Sequence, residues 1–156
     1  MDRKFAAFVE TLAPKLTQLL EMPPLRYGQL PIDMPVSGVY LFSEGNTHLY
    51  VRRSNTLRGR HGRHCRPGAT HRQAAFAFQL ARHQTGVKEA SYKPGAGSRA
   101  GLMELPEFNA AFVSAKARIR EMDYRYVAEF DQTCQALLEI YCSVALATPF
   151  NDFGTH

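Results

Sequence analysis

The sequence predicts an α+β fold. Three observations carry it: apolar residues at three-to-four spacing in an N-terminal segment and again after Pro106, two β-type runs around Glu44-Gly45-Asn46, and a further β-type run at Tyr124 to Phe130. At 156 residues the chain can bury one real core and not two. It therefore reads as an N-terminal helix and connector over 1–36, followed by one structural unit over 37–156.

The elements follow in order. Phe5, Phe8, Val9, Leu12, Leu16, Leu19 and Leu20 line one face of a helix over residues 2 to 21, with Asp2 as its N-cap and Pro14 as the point where it kinks or splits. A polar connector after Pro23-Pro24 leads to the two β-type runs, Ser37 to Ser43 and Thr47 to Arg52, which form a hairpin. With a three-residue loop, positions on the two strands that sum to 90 face each other, and Tyr40 is expected opposite Tyr50. Ser54 can cap a short helix to about His64, on which Arg60 and His64 are separated by one turn. A second helix is expected over Thr70 to His83, then an exposed loop over Lys93 to Ser98. Pro106 opens a helix to about Met122 with Phe108, Phe112, Ala115 and Ile119 on its apolar side. After the third strand, Asp131 caps a final helix to about Ala147.

Composition narrows the function classes. Hydrophobic residues at 45% and charged residues at 21% are those of a folded globular chain, not of a disordered or fibrous one. No apolar run reaches bilayer length, so no membrane partner is expected, and the start of the chain does not read as a signal peptide. The expected compartment is the cytoplasm. Cys65, Cys134 and Cys142 are odd in number and form no CxxC pair, which points to reduced thiols. The net charge of +5 is unevenly placed: from Gly45 to Lys88 there is no carboxylate, while eight arginines and Lys88 supply nine positive charges. A solvated face ordinarily mixes both signs, so this stretch predicts a polyanionic partner, and a phosphate backbone is the commonest.

Several residues stand out against this frame: the triplets Gly38-Val39-Tyr40 and Tyr50-Val51-Arg52, the run Arg53-Ser54-Asn55-Thr56-Leu57 with Arg60 and His64 after it, and Ala136-Leu137-Leu138-Glu139 with Pro149-Phe150-Asn151 near the end. In type, order and spacing they resemble the GIY-YIG nuclease superfamily over roughly residues 37 to 151. The resemblance implies a three-stranded antiparallel sheet flanked by helices in β-β-α-α-β-α order, here with an extra N-terminal helix. It also implies hydrolysis of DNA phosphodiester bonds with one divalent ion, Mg²⁺ or Mn²⁺.

Phosphodiester hydrolysis needs a positioned water, a route for its proton, and positive charge where the phosphorane oxygens gain charge. Tyr40 is the expected proton acceptor or water-orienting group, with Tyr50 positioning it or touching the phosphate. An ordinary phenol has a pKa of about 10, so Tyr40 would act as a base only beside cations or a metal. Arg60 suits the scissile phosphate through its planar guanidinium. His64 would contact that phosphate or relay a proton. Glu139 is the only carboxylate between Asp131 and Asp152, in a stretch otherwise almost wholly apolar, and a charge there needs either solvent or a cation. Through the resemblance it is the expected ligand of the divalent ion. Arg52, Arg53, Arg58, Arg63, Arg66 and Asn151 are the expected further contacts to DNA.

One position departs from the family pattern. Arg52 stands where glycine is usual, and it either crowds the phosphate site or supplies an extra contact. The sequence thus carries two function readings, a metal-dependent DNA endonuclease and a DNA-binding module of the same fold with impaired cleavage. A homodimer is one arrangement for cutting both strands, which the sequence leaves open. His61, His64, Cys65 and His71 form a third, less favoured possibility, a zinc site, although their spacing fits no common finger.

Overall fold

The computed structural model describes residues 1–87 and 95–154. Ten elements follow one another: α1 (Arg3–Glu10), α2 (Leu12–Glu21), β1 (Gly38–Glu44), β2 (Thr47–Ser54), α3 (Leu57–Cys65), α4 (Ala75–Thr85), α5 (Arg99–Glu104), α6 (Pro106–Arg120), β3 (Asp123–Ala128) and α7 (Gln132–Leu146). The described residues form two compact units, one of Met1–Arg60 with Met122–His156, the other of His61–Glu121. Lys88 and the start of the expected loop over Lys93 to Ser98 lie outside the described residues.

The first unit holds a three-stranded antiparallel sheet in the order β2-β1-β3. Strand residues alternate between its two faces. Val39, Leu41, Val51 and Val127 join Leu12 and Leu19 of α2 and Leu138 and Cys142 of α7 in one buried cluster, so α2 shares the sheet's core. The opposite parity presents aromatic rings: Tyr40, Phe42 and Tyr124 stand with centroids 5.1 to 5.8 Å apart. Gly38, the first residue of the first triplet, pairs with Ala128, and a Cβ there would overlap the Val127 carbonyl oxygen. Glycine at 38 is what allows β1 and β3 to approach.

The hairpin register differs from expectation. Glu44 pairs with Thr47, so the loop is the two residues Gly45-Asn46, with Gly45 at the positive φ of 59° that a tight hairpin turn needs. The register then shifts between Phe42 and Ser43, because Leu49 is an extra residue on β2. Tyr40 consequently lies opposite Arg52, and Tyr50 opposite Phe42. The two tyrosines remain on one face as diagonal neighbours, with ring centroids 6.4 Å apart.

Both outer edges of the sheet are occupied. On β3, Tyr124 exchanges both main-chain hydrogen bonds with Leu25 at 2.8 and 2.9 Å. On β2, the Leu49 carbonyl accepts from the Phe150 amide, Asn151 bonds both main-chain groups of Val51, and the Arg53 amide donates to Glu139.

Local signals act largely as anticipated. The Asp2 and Asp131 carboxylates accept from the Phe5 and Cys134 amides at 2.8 and 2.9 Å, capping α1 and α7. The N-terminal helix breaks at Thr11, three residues before Pro14, because proline has no N–H to continue the ladder and fits only the first turn of the new helix. Ser54 ends β2, where its hydroxyl accepts from Thr56 N, and the helix after it starts at Leu57.

In the second unit α4 and α6 pack through Phe76, Phe78, Phe108, Phe112 and Ile119, with the Phe78 and Phe108 rings 5.1 Å apart. Helix α5, capped by Ser98, was not anticipated. Lys116 is buried here: its ammonium donates to the carbonyls of Pro67 at 2.6 Å and Ala69 at 2.9 Å and lies over the Phe112 ring.

Candidate functional site

The site is built on β1 and β2, with α7 beside the outer edge of β2. Tyr40 comes from the central strand and Tyr50 from β2; both are buried, at 1% and 3% exposure. Arg52, two residues after Tyr50, points the same way because of the strand period. Its Nε donates to the Tyr50 hydroxyl at 3.2 Å, and its guanidinium carbon lies 5.5 Å from the centre of that ring. The same guanidinium reaches Glu139 on α7, Nη1 to Oε1, at 3.6 Å. The other carboxylate oxygen accepts the Arg53 amide at 2.8 Å. Tyr50, Arg52 and Glu139 thus form one connected chain of polar contacts.

Electrostatics inside this cluster are mixed. Burial holds the Tyr40 phenol well above its ordinary value, the neighbouring Tyr50 and Tyr124 add to that, and Arg60 and Arg52 pull in the opposite direction. Burial likewise raises Tyr50, with Arg52 opposing through its charge and its hydrogen bond. Burial by itself would lower Arg52, but Tyr50 and Glu139 outweigh it and hold the guanidinium above its usual value. Tyr40 is therefore a protonated phenol in this arrangement. To serve as a base it would need more positive charge nearby than two arginines supply.

The sequence-selected residues divide as follows. Tyr40, Tyr50, Arg52, Arg60 and Glu139 belong to the first unit, and Arg60 is near enough to act electrostatically on both tyrosines. His64 belongs to the second unit, where it is buried with its ring edge-on to Phe76 at 6.4 Å. Arg53 is exposed and donates to the Gln132 carbonyl at 3.1 Å. Arg58, also exposed, bonds the Pro31 carbonyl. Arg63 is exposed, and exposed Arg66 folds back on the Gly62 carbonyl at 3.3 Å. Asn151 serves the edge of β2, and its side-chain oxygen also accepts from the Thr148 hydroxyl at 2.8 Å.

Two features were not anticipated. The pairing of Arg52 with Glu139 is one, and a carboxylate in an apolar stretch was its trace in the sequence. The other is an amide cluster in which Asn55 and Gln132 bond reciprocally at 2.8 and 3.1 Å while Gln135 reaches both Asn55 and the Glu129 carbonyl, holding the turn after β2 against the start of α7. Side-chain amides carry no pattern that announces such pairing.

The donor set at Glu139 does not fit a divalent ion in this arrangement. One oxygen is engaged by a main-chain N–H and the other faces a guanidinium, so a second cation would meet positive charge where it needs free lone pairs. Among the described residues no three His, Cys, Asp or Glu side chains group to hold a metal. Of the histidine and cysteine cluster, His61 Nε2 lies 3.7 Å from Cys65 Sγ inside the second unit. Burial pushes the Cys65 thiol up to about 12 and His61 down to about 4, which favours neutral packing partners over a thiolate ligand.

Compared with protein-family models, curated proteins and solved structures, the chain finds no match. Among the described residues no helix is long and apolar enough to cross a membrane.

Proposed function

We propose that the chain is a DNA-binding module with a GIY-YIG-like site whose capacity to cleave is impaired. The observation that carries this reading is the engagement of Glu139 by Arg52 and the Arg53 amide, which sets one carboxylate oxygen on a main-chain N–H and the other beside a guanidinium whose charge opposes a metal ion. The binding contacts follow from charge: within a stretch that holds no carboxylate, Arg53 and Arg58 are exposed on the first unit and, separately, Arg63 and Arg66 on the second. Arg52 and Arg60 would add positive charge beside the tyrosines, where a phosphodiester group could accept from a guanidinium. Affinity should fall steeply with salt through counterion release and be similar for unrelated sequences.

The second reading, a metal-dependent endonuclease using Mg²⁺ or Mn²⁺, draws its support from the placement of Tyr40, Tyr50, Arg60 and Glu139 in one unit. A homodimer cutting both strands belongs to that reading. Incubating pure protein with supercoiled plasmid and either ion, with and without chelator, separates the two, provided that binding is followed in parallel by fluorescence anisotropy across a salt series. Binding without nicking supports the module. Chelator-sensitive nicking that disappears in Y40F and E139A establishes the enzyme, and absence of binding removes both.

A further inference from the structure

We infer that Arg52 is a built-in replacement for a divalent cation: its guanidinium sits on Glu139, neutralises the carboxylate in place, and makes engagement of a phosphodiester at this site independent of metal. The ligand class rests on the DNA-binding reading above, whereas the exclusion of metal by Arg52 rests on geometry alone.

The side chain is held from two sides. Tyr50 accepts its Nε–H at 3.2 Å and places a ring face 5.5 Å away, while Glu139 faces Nη1 at 3.6 Å. Glu139 is itself fixed, since its second oxygen accepts the Arg53 amide on the outer edge of β2 at 2.8 Å. A carboxylate held by a main-chain donor cannot readily swing away from the guanidinium. The pair is not sealed, because the Arg52 side chain keeps 31% of its surface exposed. It has remaining N–H donors, and a phosphate oxygen can accept from these without displacing Glu139. A divalent ion would have to approach the same carboxylate against the guanidinium charge. One long side chain at a position where glycine would leave room thus decides whether Glu139 meets a metal or an arginine.

Titration of Mn²⁺, followed by electron paramagnetic resonance of the free ion, tests this with no reference to activity. Wild type is expected to bind no Mn²⁺ that E139Q removes. R52G is expected to gain a site at least about tenfold tighter than any in wild type, a gain of about 1.4 kcal/mol, and R52G/E139Q to lose it. R52Q removes the charge while retaining most of the bulk, and it gives the same comparison where glycine perturbs β2; circular dichroism establishes that each variant is folded. Two results of the titration overturn the inference: Mn²⁺ binding by wild type that E139Q abolishes, or folded R52G and R52Q that bind none. DNA affinity measured on the same samples by anisotropy should be unchanged by chelator in wild type, and a chelator-induced loss also overturns the inference. Wild type that binds no DNA yet shows the expected Mn²⁺ pattern defeats the DNA-binding reading while the exclusion of metal by Arg52 stands.

Discussion

Glu139 and Lys116 are both buried charges, one in each unit, and they are satisfied in different ways. Lys116 is caged largely by main chain: two carbonyls and the face of the Phe112 ring take its ammonium. Glu139 meets one main-chain N–H and one side-chain guanidinium, and that side chain is partly open to solvent. A charge neutralised by backbone is committed to the fold. A charge neutralised by a partly exposed side-chain cation can be addressed by a ligand, because the cation has donors to spare. On the proposed reading, this contrast singles out the Arg52–Glu139 pair as the charge that a ligand can reach.

The largest expected effect breaks or confirms the committed half of that comparison. Lys116→Met removes the donor from one buried and one part-buried carbonyl and should cost about 4 kcal/mol in urea unfolding, with DNA affinity unchanged in the folded fraction. A loss below about 1 kcal/mol would mean that water replaces the ammonium and the cage is not structural.

Acid should reveal a second committed group. His61 is held neutral, with its pKa near 4 against an ordinary 6.5, so between these values the unfolded chain binds the extra proton and the native chain does not. Its contribution, about 3 kcal/mol, is fully present above pH 6.5 and is lost as pH falls through about 4. His61→Asn should flatten the stability profile over that window, measured by denaturant midpoints at a series of pH values.

Glu139→Ala tests the addressable half. The Arg53 amide loses its acceptor and Arg52 its counterion, but both sit at a strand edge near water, so a loss of about 2 kcal/mol is expected. DNA should bind at least as tightly, since a negative charge beside the phosphates is gone. A loss equal to that of Lys116→Met, or weaker DNA binding, would erase the distinction between the two charges. The smallest effect belongs to Arg60→Ala, expected to weaken DNA binding by about tenfold, or 1.4 kcal/mol, at low salt while leaving stability unchanged.

How much of this was legible in the sequence depended on distance along the chain. Asp2, Asp131, Pro106 and Gly45 act on neighbours within a few residues, and the ends or turns they specify lie where their chemistry puts them. The hairpin was legible but its register was not, since a bulge at Leu49 changes which residues face each other without disturbing the alternation that marks the strands. Helix α5 is only six residues long, too short to establish a period. Candidate residues could be chosen from the sequence by type, whereas their contacts could not be read there. Glu139 stood out because a carboxylate in an apolar stretch needs a partner, yet nothing local says that Arg52, far away in sequence, supplies it. Asn151 was selected as a contact to DNA, while its observed bonds hold the edge of β2.

That edge has a consequence for how the protein keeps to itself. A sheet with an open border is a template on which another chain can lay down a strand, which is how partly folded proteins begin to aggregate. Here Leu25 occupies part of one border, while Phe150, Asn151 and Glu139 cover the other at Leu49, Val51 and Arg53 in turn. The segment after α7 therefore works as a molecular selvedge, a finished margin that stops the fabric from being extended. A chain cut back to Pro149 would keep its helices and its basic surface but bare the middle of β2, and it should self-associate as its concentration rises even while its charge keeps unrelated proteins away.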